Sequence, residues 1–196
     1  MRIPLSVAGV LFLLYPALRP WEDESTTSGA AAAMGSTAWI VTHLCAMIGF
    51  ILVAIALLSI NRVAAIVFWI GAGLTLPYYG AEVFGLHAMA NQSNVLDLAE
   101  DVRYNPFAMT MFGLGLLSMA AGAILVAARM RTAPAILFAA GFGLFLPQFF
   151  GPPALRIAHG VLLAAACVWL AWDTKRVQPA PELYEGTGIQ AVHPGQ

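Results

Sequence analysis

Residues 37–60 read TAWIVTHLCAMIGFILVAIALLSI, a run with no charged side chain and a single histidine. About 20 predominantly apolar residues carry an α-helix across the hydrocarbon core of a bilayer, so this stretch predicts a membrane span. A helix lying on a soluble core would show a polar face at helical spacing, and none is present here.

Similar runs occupy 3–18, 63–90, 106–128, 133–150 and 153–172. The whole chain of 196 residues is 60% hydrophobic and 10% charged, with a mean hydropathy of +0.80. A soluble domain carries about one quarter charged residues, so these few cannot cover a water-facing surface. The expected fold class is therefore all-α: a polytopic protein of the cell membrane, a bundle of six transmembrane helices over 1–176 with a polar tail over 177–196. The first run follows Arg2 and has an apolar core of the signal-peptide kind, and the small residues at 29–33 imitate a cleavage region. Residues 21–28 separate the two, which favours an uncleaved first helix.

The basic residues set the expected orientation. With the N-terminus inside, Arg2, Arg62, Arg129, Arg131, Lys175 and Arg176 are cytoplasmic, leaving Arg19, Arg103 and Arg156 outside. That asymmetry predicts both termini in the cytoplasm, with the tail there too. Glu22, Asp23, Glu24, Asp97, Glu100 and Asp101 then fall outside. Trp21 and Trp39 would belong to an outer aromatic belt, Trp169 and Trp172 to an inner one.

Connections as short as Asn61-Arg62, Met130-Arg131-Thr132 and Gly151-Pro152 make the runs on either side antiparallel neighbours. Between the third and fourth runs, Ser93 is positioned to cap a short amphipathic helix. Its Val95, Leu96, Leu98 and Val102 share one side while Asp97, Glu100 and Asp101 face water, so it should lie flat on the outer surface. Asn105-Pro106 opens the fourth run. A faint repeat joins GAGLTLP at 71–77 to GFGLFLP at 141–147, each followed by aromatics and glycine, predicting proline-distorted helices in both places.

A net charge of −1 with scattered arginines argues against a nucleic-acid partner. Cys45 and Cys167 lie inside apolar runs and read as small buried side chains, not a disulfide framework. No Walker loop, dinucleotide fingerprint, His-Glu-x-x-His pair or Gly-x-Ser-x-Gly elbow is present, and no catalytic residue is assigned.

Ionisable groups within apolar runs are costly unless paired, and mark sites. Here they gather on the expected outer side: His43, Glu82, His87, Arg156 and His159, with Tyr78, Tyr79 and Gln148 at similar depth. Glu82 and His87 are five residues apart, about 140° around an ideal helix, and share a face only if the helix is distorted. Arg156 is the expected ion-pair partner of Glu82, while Arg19 is expected to snorkel to water. His43 and His159, each six residues into its run and so roughly 9 Å deep, are the expected axial ligands of a haem b, with His87 a weaker ligand. The simpler alternative spends each imidazole on a hydrogen bond between helices. Cu(I) held by His87 with Met89, Met109 and Met111 ranks behind haem as a cofactor. The leading functional expectation is thus a haem or metal protein in a redox role. It competes with a noncatalytic subunit or assembly factor, partnered by other membrane-protein subunits, and with a small transporter or lipid-binding protein holding an amphiphile near Glu82 and Arg156.

Overall fold

The computed structural model describes residues 1–173. The tail expected over 177–196, with Lys175 and Arg176, lies outside the described residues. Within them the chain is 83% helical and has no strand.

Among the described residues nine α-helices follow one another: α1 (Arg2–Leu18), α2 (Thr27–Met34), α3 (Thr37–Leu57), α4 (Arg62–Gly80), α5 (Leu86–Met89), α6 (Val95–Arg103), α7 (Pro106–Met130), α8 (Ala133–Gly143) and α9 (Pro153–Trp172). A π-helical turn, Ala81–Gly85, joins α4 to α5, and a 3₁₀ turn, Pro147–Phe150, follows α8. Four helical stretches are long and apolar enough to cross a membrane: Thr37–Leu57, Arg62–Met89, Pro106–Met130 and Pro153–Trp172. Arg2–Leu18 and Ala133–Gly143 are apolar but shorter.

Local chemistry explains where the helices begin. The side chains of Ser36, Asn61 and Asn105 accept hydrogen bonds from the first free N–H groups of α3, α4 and α7, which have no partner inside the helix. Proline occupies the first turns of α7, α8 and α9, where its missing N–H costs nothing.

The two similar Gly-x-Gly-Leu-x-Leu-Pro stretches end differently. Helix α4 runs through Pro77 and widens into the π turn, in which the Leu86 N–H reaches back to the Ala81 carbonyl. Helix α8 stops at Gly143, four residues before Pro147, whose ring would collide with that carbonyl. Pro152 and Pro153 come too soon afterwards for the helix to resume as α4 does.

Packing runs in the order α1, α3, α4, α7, α8, α9, and α9 closes back onto α1. The α3–α4, α7–α8 and α8–α9 neighbours expected from the short connections are among these contacts. The closest approach joins α4 to α7, because a Cβ on Gly71 would stand 2.6 Å from the Gly115 carbonyl oxygen, and one on Gly115 would overlap Thr75 Oγ1. Small residues let the two backbones meet, as in packed membrane helices. Inside lie Phe12, Phe50, Phe68, Phe138, Phe142 and Phe145, all at most 2% exposed. Ile3, Val63, Ile66, Leu117, Ile136 and Val161 point outward and are more than half exposed. Apolar side chains on both sides of the helices suit a lipid surround, where water would favour a polar exterior.

At the end where α1 finishes and α3 begins, α2, α5 and α6 enclose a second small core of Ala30, Met34, Trp39, Leu86, Val95 and Ala99. Two expectations are corrected here. The N-cap of α6 is Asn94, not Ser93, with no side-chain cap bond, and the helix turns its apolar side to this core. Trp39 is fully buried and so belongs to no aromatic belt.

Candidate functional site

The same end of the ring holds a cavity of about 410 Å³, the size of a small-molecule site. Its wall takes Tyr15 and Arg19 from the end of α1, His43 from α3, Tyr78, Tyr79 and Glu82 from the end of α4 and its π turn, and Arg103 from α6. Phe112 of α7, Phe149 of the 3₁₀ turn and Arg156 of α9 complete the opposite side. Polar side chains collect at this depth because each long helix supplies its terminal turn.

A chain of four charges crosses one wall. Glu24 accepts from Arg19 at 2.6 Å through one oxygen and from Arg103 at 2.7 Å through the other. Arg103 also grips Glu82 with two hydrogen bonds, Nε to Oε1 at 2.8 Å and Nη2 to Oε2 at 3.2 Å. Such a two-point grip holds a carboxylate in a fixed plane. Burial disfavours the Arg103 cation, but Glu82 and Glu24 outweigh it and hold its pKa above the ordinary arginine value. Arg19 lies between the Trp21 and Trp39 rings, 5.1 and 4.9 Å from their centroids, and is 9% exposed.

These contacts correct two expectations. The partner of Glu82 is Arg103, on an element that the sequence places outside the membrane, and not Arg156. Arg19 is enclosed and paired where snorkelling was expected. Arg156 instead lies over Trp21 and Phe149, 5.0 and 5.3 Å from the ring centroids, and forms no ion pair among the described residues.

The π turn depends on a distant side chain. Trp39 Nε1 donates to the Glu82 carbonyl oxygen at 2.8 Å, satisfying an acceptor in the widened backbone. The helix is therefore distorted between Glu82 and His87, as sharing a face would require, yet the two side chains diverge. Glu82 turns to α6, and His87 Nδ1 donates to the Met34 carbonyl of α2 at 2.7 Å.

All three expected ligand histidines donate to main-chain carbonyls. His43 Nδ1 bonds Trp39 O at 2.7 Å and His159 Nε2 bonds Gly141 O at 2.8 Å, each nitrogen necessarily protonated because a carbonyl only accepts. His43 lines the large cavity, whereas His159 lines an adjoining crevice of about 10 Å³ that shares Tyr15 and Arg156 with the cavity wall and has room for one water at most. Among the expected copper ligands, Met109 lines the cavity, Met89 packs in the second core and Met111 is 39% exposed. Among the described residues no three His, Cys, Asp or Glu side chains are grouped to hold a metal ion.

Sequence reasoning missed Glu24, Arg19, Arg103 and Tyr15 as wall residues. Tyr15 and Tyr79 are 7% and 2% exposed and lie side by side, and Arg19 Nε has no hydrogen-bond partner. A buried donor left unpaired costs roughly 1–3 kcal/mol, so it calls for an occupant or a water.

No protein-family model, curated protein or solved structure matches the chain.

Proposed function

We propose that the chain crosses the cell membrane with six helices, both termini in the cytoplasm, and binds an amphiphilic ligand in the cavity at the outer ends of those helices. The excess of basic residues at the opposite end supports this orientation. For the two shorter helices, the closed packing order is the support: α1 lies between α3 and α9, and α8 between α7 and α9, all of them long enough to span.

One observation carries the ligand reading: a wall that joins arginine, glutamate and tyrosine to exposed apolar side chains. Phe150 is 86% and Met109 39% exposed, and both line the cavity. The site thus offers a polar interior and an apolar rim, the two chemistries of a headed lipid or similar amphiphile. Haem fits this geometry less well, because His159 lines the narrow adjoining crevice and no second imidazole lines the cavity with His43.

Gentle extraction followed by native mass spectrometry tests the proposal. Wild-type protein should carry a lipid-sized adduct through purification, and Leu146→Trp, which enlarges a side chain lining the cavity, should lose it. A wild-type chain that flies bare, or an adduct indifferent to Leu146→Trp, contradicts the reading.

A further inference from the structure

We infer that the ligand's head is anionic, a carboxylate or a phosphate, and that Arg156 is the group that recognises it; this rests on the amphiphile reading above. The cavity wall carries Arg19, Arg103 and Arg156 against Glu24 and Glu82, an excess of one positive charge. The ion pairs assign that excess. Arg19 and Arg103 are both satisfied by glutamates, whereas Arg156 has no carboxylate among the described residues.

An arginine at this depth without a counter-ion is expensive, and stacking on Trp21 and Phe149 offsets only part of the cost. A guanidinium held against aromatic rings can still present its N–H edge, which grips a carboxylate or phosphate through paired hydrogen bonds. Tyr15, Tyr78 and Tyr79 line the same cavity, and a phenol can donate to an anion's oxygen.

The test uses the full chain in micelles of a non-ionic maltoside detergent, which supplies no anionic head, with thermal midpoint read by tryptophan fluorescence. Oleate and oleyl alcohol serve as a matched anionic and neutral pair, and inorganic phosphate as a soluble anion. In the wild type, oleate should raise the midpoint saturably, with an apparent affinity at least tenfold above that of oleyl alcohol. Arg156→Gln should abolish the preference, Arg156→Lys should keep part of it, and Arg131→Gln, in the turn between α7 and α8, should keep all of it. Equal affinities for oleate and the alcohol in the wild type, a comparison that needs no variant, overturn the anionic assignment while leaving an amphiphile site standing. Binding of none of the probes overturns both readings. Saturable protection by phosphate equal to that by oleate retains Arg156 as an anion receptor but makes the source a soluble anion, contradicting the amphiphile.

Discussion

The indole nitrogen of Trp39 donates to the backbone carbonyl of Glu82 across 43 positions of sequence, at 2.8 Å. This bond connects the first turns of α3 to the π turn that aims Glu82 at α6. Trp39→Phe keeps an aromatic ring beside Arg19 but removes the donor, leaving a buried carbonyl short of a partner. The expected cost is about 1–3 kcal/mol, read as a lower thermal midpoint in detergent. A midpoint equal to wild type would mean that the π turn stands without Trp39.

Glu82 and Arg103 should behave as a coupled pair. Glu82→Gln and Arg103→Gln are each expected to cost on the order of 3 kcal/mol, toward the low end for buried pairs because Arg103 keeps some exposure. Their double variant should cost at least about 1 kcal/mol less than the sum. The cycle of Glu82→Gln with Arg156→Gln should come closer to additivity. A larger coupling to Arg156 than to Arg103 would reverse the assignment of the pair.

The orientation predicts accessibility. Ser28 and Ser93 are exposed at the cavity end. In a chain lacking Cys45 and Cys167, Ser28→Cys and Ser93→Cys should react with a membrane-impermeant maleimide on intact cells. Reaction only after permeabilisation would put the cavity on the cytoplasmic side.

The α4–α7 contact leaves no room for a methyl group. Gly115→Ala should place its Cβ against Thr75 and cost about 1–3 kcal/mol by overpacking. Gly113→Ala, with open space around its Cβ, should be neutral or slightly stabilising and serves as the matched control. Equal effects of the two would argue that α4 and α7 do not approach so closely.

Run length and the absence of charge made the long helices readable in the sequence, since residues 37–60 admit little else. Pro77 and Pro147 announced distortions, but their different outcomes were not readable locally, because one depends on Trp39 and the other on Pro152 and Pro153. Helix α2 was missed because an alanine-rich stretch has high helix propensity but no hydrophobic periodicity. Thr26, which caps it by accepting from the Gly29 N–H, was the available signal. The site's location was readable from polar residues at a common depth, its pairing was not. Arg156 was paired with Glu82 because both lie in apolar runs, whereas folding brings in Arg103 and Glu24 from the connecting segments, where charge ordinarily signals only solvent.

A density map of the protein in native-lipid nanodiscs shows whether the cavity beside Arg156 holds a headed amphiphile. One elongated density is expected, with its head within hydrogen-bonding distance of Arg156 and its tail leaving past Phe150 toward lipid. A planar macrocycle coordinated by His43, or a cavity closed by the protein's own side chains, would contradict it.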